Sequence, residues 1–300
     1  MSDVPASHTR PLDAASMALV VLICLTWGFN QPAIKLAIHD VPPLTQCAIR
    51  SGLAILMVLG VMRLRGLPVM AADGTLAAGL AAGALFGFEF LLIYRGLLYT
   101  TASRAVLFIY LAPFFVVLGA RIVLPADRFG AAQWLGLGLS FAGMLIAFGV
   151  PTPAMDPRQH IGDVMIVGAA QFWAATTLII KASPLTRVSA EKVMLYQLVV
   201  SAPIMAATAL VVGERITHMP SALALGSLVY QTVWVVSVTF VIWFALIARY
   251  SASRLSAFTF LTPLFGVAAG HLVLNEPLTT AFAAAVVLVA AGLVLVNRAH

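Results

Sequence analysis

Ten long apolar runs, joined by short polar connections, leave this 300-residue chain few ways to fold. They fall at roughly 15 to 38, 44 to 62, 74 to 96, 102 to 124, 132 to 150, 162 to 182, 192 to 213, 221 to 247, 252 to 274 and 279 to 297. A bilayer core about 30 Å thick takes about 20 apolar residues of helix. With 62% of residues hydrophobic, 9% charged and a mean hydropathy of +1.02, against roughly 25% charged in soluble domains, a water-soluble core is excluded. A transmembrane β-barrel would alternate apolar and polar residues over about ten positions, and these runs do not. The expectation is an all-α integral membrane protein with ten transmembrane helices, spans 1 to 10.

The chain also contains itself twice. Residues 102–124, ASRAVLFIYLAPFFVVLGARIVL, and residues 252–274, ASRLSAFTFLTPLFGVAAGHLVL, share ten of 23 positions, including Pro113 and Pro263. Trp27 and Lys35 in span 1 are spaced like Trp173 and Lys181 in span 6. Five spans per copy is an odd number, so the second copy enters the membrane upside down relative to the first: two inverted five-helix repeats, an arrangement suited to alternating access. The expected organisation is a cytoplasmic N-terminal segment 1–14, a first repeat 15–150, a linker 151–161 and a second repeat 162–297.

Lys and Arg give the orientation. With the N-terminus inside, eleven fall on the cytoplasmic side and five on the other, with Arg50 inside span 2. Both termini are therefore expected in the cytoplasm. The same bias accounts for the net charge of +6 without nucleic acid, for which no polar domain exists. The first apolar run reads as a spanning helix, not a cleaved leader. Cys24 and Cys47 stand alone in apolar sequence, so neither metal nor cofactor is expected.

The five-plus-five pattern, Trp27-Gly28 in span 1, Lys35 at its end, the Ala-Ser-Arg starts of spans 4 and 9, Pro113, Pro263 and Asn275-Glu276-Pro277 together resemble the EamA-type members of the drug/metabolite transporter superfamily. One departure is Pro125-Ala126-Asp127 where the second copy has Asn275-Glu276-Pro277, which weakens any role for a symmetric acidic pair. The resemblance implies a bacterial inner-membrane exporter of amino acids or other small metabolites, a group that includes the aromatic amino acid exporters of the YddG type. Its partners would be a small-molecule substrate, the lipid bilayer and protons, and the protein would be a monomer or a weak homodimer. A facilitative uniporter or channel-like permease, or a carrier of sugar phosphates or drugs, stays open. An intramembrane enzyme is disfavoured because no nucleophile, paired-aspartate or zinc motif is present.

Several side chains are candidates for lining a central path. Span 1 groups Trp27, Asn30, Gln31, Ile34 and Lys35 on one side, and span 6 offers Trp173, Thr176, Thr177 and Lys181, with Gln171 on a neighbouring face. Span 3 carries Phe86, Phe90 and Tyr94. Spans 7 and 8 add Tyr196, Gln197, Gln231, Thr232, Ser237, Thr239 and Trp243. Each can instead anchor an interface or pack between helices. Rings with few charges favour hydrophobic or aromatic zwitterions over phosphorylated solutes, whose binding recruits clustered Arg and Lys.

Arg50 and Glu89 are the charges hardest to place, since a charge at membrane depth costs roughly 2.5 to 3.5 kcal/mol on insertion scales. Glu89 reads either as a proton-coupling carboxylate or as a structural partner, and Arg50 either as a carboxylate receptor or as a structural or snorkelling side chain. A mutual ion pair would lower the cost of both. By equal offset, Tyr196 stands where the second repeat would place Arg50. Pro32, Pro113 and Pro263 are candidate hinges. His271 is a further titratable position near a helix end, and Gly136, Gly138, Gly143 and the run Ala281 to Ala285 are candidate packing surfaces.

Overall fold

The computed structural model describes residues 12–38, 40–100, 102–124, 129–149, 157–274 and 280–297, without the side chains at 31, 32, 35, 102, 103, 270, 271, 273 and 274. The side chains of Gln31, Pro32, Lys35 and His271 and the Pro125-Ala126-Asp127 and Asn275-Glu276-Pro277 motifs thus lie outside the described residues, as does most of the N-terminal segment and linker.

The described chain is helical, without β-strands. Spans 1 to 3 are α1 (Ala14–Ala37), α2 (Pro43–Leu64) and α3 (Leu76–Gly96). Span 4 is two helices, α4 (Ala102–Ile109) and α5 (Ala112–Val123), and span 5 is α6 (Ala131–Phe148). Spans 6 and 7 are α7 (Pro157–Ala182) and α8 (Ala190–Val211). Span 8 runs through α9 (Ala222–Val229), a π-helical stretch Tyr230–Thr239 and α10 (Phe240–Arg249). Span 9 is α11 (Ala252–Phe258) and α12 (Leu261–Leu274), and span 10 is α13 (Thr280–Asn297). Nine described stretches are long and apolar enough to cross a membrane, and α1, 24 residues long, makes the tenth. The one sizeable boundary difference is α7, which begins at Pro157, five residues before the apolar run and inside the expected linker. Its first turn, Pro-Arg-Gln-His, is polar, so hydropathy alone does not register it.

The breaks in spans 4 and 9 have a common cause. Proline lacks the N–H that would bond the carbonyl four residues earlier and its ring crowds that carbonyl. Ile109, four before Pro113, ends α4, and α11 ends at Phe258, one residue before the carbonyl that Pro263 leaves without a donor. The breaks touch, with the rings of Tyr110 and Phe260 6.2 Å apart. Helix α1, by contrast, continues unbroken through position 32.

Packing follows the inverted repeat. α6 lies along α13 and α2 along α8, each helix paired with its own counterpart. α3 packs on α7, answered by α1 on span 8, and α1 packs on α12, answered by α7 on α4 and α5. In a bilayer, helices associate through close contact, not exclusion from water, so small residues sit at the interfaces. Gly79, Gly83 and Gly87 form a stripe on α3 against Tyr196, Val200, Ser201 and Ile204 of α8, and Gly136 and Gly143 of α6 face α13. Gly138 meets open space.

A Cβ at Gly83 would stand 2.7 Å from the Tyr196 carbonyl oxygen and 2.9 Å from Val200. Gly83→Leu is therefore expected to lower stability by about 1–3 kcal/mol, the usual cost of overpacking, seen as a fall in Tm in detergent. Gly138→Leu is expected to leave Tm unchanged.

Candidate functional site

Where α1, α3 and span 8 meet, aromatic rings stack into a column. Phe90 lies 6.4 Å from Tyr94 and 4.9 Å from Phe86, one helical turn apart on α3. Phe86 reaches across to Phe240 at 5.7 Å, Phe240 to Trp27 at 5.0 Å, and Trp27 to Trp243 at 5.4 Å. The Trp27 indole donates to the Thr239 hydroxyl at 2.9 Å, giving its polar edge a partner inside the bundle, as buried tryptophans require. Thus Trp27, Phe86, Phe90, Tyr94 and Trp243 share one site. Phe240 joins them without having been singled out, because one phenylalanine in VTFVIWFALI carries no distinguishing pattern.

Arg50 caps the column. Its guanidinium lies 4.8 Å from the Phe90 ring centre and donates to Cys47 Sγ at 3.4 Å, while its buried Nε has no partner. Glu89 is buried one residue before Phe90 and accepts no hydrogen bond from the described residues. Arg50 lies seven residues after the start of α2 and Glu89 seven before the end of α3, which fall at the same end of the bundle, so each is about 10 Å deep at 1.5 Å per residue. Despite this shared depth, no direct ion pair joins them among the described residues, so the cost of neither is offset by a contact between them. Both are buried at the helix interface, close enough to feel each other's charge without a direct contact.

The symmetry partner of Arg50 also needs correction. Arg50 is the eighth residue of α2 and Gln197 the eighth of α8, so the helix starts align it with Gln197, not Tyr196. Gln197 is fully buried and its Oε1 has no donor. Tyr196 turns instead toward Gly79, and its hydroxyl lies 3.1 Å from Thr75.

A polar seam runs beside Arg50 on the same face of α2. The Gln231 amide nitrogen donates to Gln46 Oε1 at 3.3 Å and to Ser227 Oγ at 3.1 Å. Gln46 donates to the Val41 carbonyl at 2.7 Å, and Ser227 to the Ala33 carbonyl. Gln231 Oε1 and the hydroxyl of Thr232 remain buried without partners, a cost of about 1–3 kcal/mol per group. Both belong to the π-helical stretch, a geometry frequent at functional sites, and the Ser237 hydroxyl donates back to the Thr232 carbonyl there at 2.8 Å. Asn30 Oδ1 on α1 is likewise buried and unpartnered. Gln46 and Ser227 could not be picked from sequence, since neither stands out without its neighbour.

Span 6 does not join the column. Trp173 packs on Tyr110 at the span 4 break, at 6.1 Å, and Thr177 is buried on the same helix. Lys181 reaches the Ala248 carbonyl at 3.2 Å.

Both ends of the bundle are clamped by carboxylates outside the apolar spans or at their starts. At the end where α1 begins, Lys192 donates to Asp73 at 2.6 Å, Arg65 pairs with Glu191, and Tyr250 donates to Asp13 at 3.0 Å. At the other end, Arg104 holds Asp163 through two nitrogens at 3.1 and 2.5 Å, with Thr100 donating at 2.6 Å. There Glu214 also accepts from Thr45 N–H at 2.8 Å and its hydroxyl at 2.9 Å. The clamps obey the repeat: Asp73 and Glu214 hold the starts of spans 7 and 2, and Asp163 and Asp13 hold the hairpins 3–4 and 8–9. The Lys192 hydrogen bond, aided by Thr75, holds the Asp73 carboxyl at about 2. Ser221 and His218 do the same for Asp40.

Comparison with known proteins agrees with this architecture. Residues 14–149 and 160–298 each match the model of the EamA-like transporter family. A probable amino-acid metabolite efflux pump of Salmonella typhimurium is 28% identical over 290 residues, covering 92% of each chain. The uncharacterized transporter YvbV of Bacillus subtilis is 25% identical, covering 93% of this chain and 90% of its own. A solved structure superposes with a TM-score of 0.81 at 20% identity over 94% of this chain and 96% of that one, which establishes the fold.

Because the Asp73 carboxyl is depressed from 3.8 to about 2, its stabilising contribution is full above the ordinary value and lost as pH falls through the depressed one. Asp73→Asn is expected to lower Tm near neutral pH, and the gap from the parent protein should close between about pH 4 and 2 in melts across a pH series.

Proposed function

The chain belongs to the EamA-like transporter family, and from that premise we propose that it exports an amino acid with an aromatic or other hydrophobic side chain by alternating access. It is a multi-pass membrane transporter, and transporters of this family are not enzymes. The observation that carries the substrate class is the ring column from Tyr94 to Trp243 with Arg50 and Glu89 buried beside it. Rings suit an apolar side chain and Arg50 suits a carboxylate, while the single guanidinium fits a phosphorylated solute poorly. The name of the Salmonella relative points the same way.

In this reading Glu89, buried in span 3 and without a hydrogen-bond donor among the described residues, carries the coupling proton and exchanges it as the halves rock. Spans 1–4 and 6–9 form the moving halves, Pro113 and Pro263 their hinges, and hairpins 3–4 and 8–9 the gates at opposite ends. The two matched segments support repeats at 15–150 and 162–297. The excess of Lys and Arg supports a bacterial inner-membrane location with both termini in the cytoplasm. The column and seam are complete within one chain, so a monomer suffices.

The test is uptake of labelled Phe, Trp, Met and Thr into liposomes with and without a pH gradient. Hydrophobic amino acids are expected to accumulate uphill only with the gradient, and Glu89→Gln is expected to abolish accumulation while leaving the protein folded. Uptake of sugar phosphates without any amino acid would overturn the substrate class. Uphill transport retained by Glu89→Gln would remove Glu89 from coupling.

A further inference from the structure

We propose that Gln231 and Thr232, on the π-helical stretch, receive the ammonium group of a zwitterionic substrate whose carboxylate is taken by Arg50. The proposal deepens the amino-acid reading above and rests on it.

The seam offers two complementary sets of unanswered groups. Gln231 is fully buried, and its amide nitrogen is committed to Gln46 and Ser227. That commitment fixes which end of the amide is free: Oε1, an acceptor with no donor. The hydroxyl of Thr232, the next residue, is also buried and unpartnered. Gln46 and Arg50 are one turn apart on α2, so they lie on one helix face, and the Gln46–Gln231 contact brings the Gln231 amide to the turn of α2 before Arg50. Arg50 in turn spends one donor on a thiol and keeps Nε free.

The acceptors and the guanidinium do not satisfy one another. A solute with only a carboxylate would answer Arg50 and leave Gln231 and Thr232 bare, and a simple amine would do the reverse. A zwitterion answers both, and a site built from buried polar groups discriminates strongly against an analogue that leaves one unpaired. Glu89 is not needed for recognition in this scheme and remains available to the proton.

The experiment measures dissociation constants in detergent for L-phenylalanine, 3-phenylpropanoate, which lacks the ammonium, and 2-phenylethylamine, which lacks the carboxylate. The parent protein is expected to prefer phenylalanine over each analogue by about tenfold or more. Thr232→Val removes a hydroxyl that makes no hydrogen bond in the fold, so Tm should hold. It should nevertheless narrow the gap between phenylalanine and 3-phenylpropanoate several-fold, and Gln231→Met should close it, while the gap to 2-phenylethylamine persists in both. Arg50→Met should do the opposite. If Thr232→Val and every folded Gln231 variant keep the phenylpropanoate gap, or if the parent protein shows none, the ammonium site is overturned while the amino-acid reading stands. If no amino acid binds or is transported, that reading falls and this proposal falls with it.

Discussion

A helix in hydrocarbon has no water to finish its hydrogen bonds, and this constraint governs the placement of nearly every polar group in the molecule. The seam is the clearest case. Gln46, Gln231 and Ser227 end their chain of donors on backbone carbonyls at Ala33 and Val41, tying the end of span 1 and the start of span 2 to span 8. The Trp27–Thr239 and Tyr250–Asp13 contacts do the same elsewhere. Against this background the buried groups left without partners among the described residues, Arg50 Nε, Gln197 Oε1, Gln231 Oε1 and the Thr232 hydroxyl among them, mark places where the bundle holds polarity that its own packing does not answer.

The two repeats keep the same architecture and differ in chemistry. The carboxylate clamps occur in matched positions at opposite ends, but one end relies on Arg104 gripping Asp163 with two nitrogens and the other on the neutral hydroxyl of Tyr250 holding Asp13. At the α2–α8 crossing a guanidinium on one side is answered by a carboxamide on the other. Symmetry fixes where the halves touch, and its local failures give the interior a direction.

Much of this fold was legible in the sequence because apolar length and duplication are properties of a single line of text. The ten spans, their inversion and the prolines of spans 4 and 9 needed only counting. The site was legible in part. Trp27, Phe86, Phe90, Tyr94 and Trp243 were visible as rings in polar company, but Phe240, Gln46 and Ser227 acquire meaning only through a neighbour far along the chain. The Tyr196 assignment shows the limit of a fixed offset: α8 starts one residue later than that offset places it, and one residue turns a side chain by about 100°. An Arg50–Glu89 ion pair, which would have lowered the cost of both, does not form within contact distance, since equal depth on neighbouring helices does not set the separation of two side-chain tips. The first turn of α7 escaped because it is polar, and the π-helical stretch because hydropathy does not record how tightly a helix is wound.

The contact between Tyr110 and Phe260 ties the two helix breaks into one mechanical element. A bend in either broken span presses directly on the other, so the two cannot flex independently without opening a void between bulky rings in a packed interior. The pair therefore couples the two broken spans at a single contact between the repeats. In a transporter whose halves rock, a change at either break would be felt at the other through this contact, at the place where the two repeats mirror each other most closely in sequence.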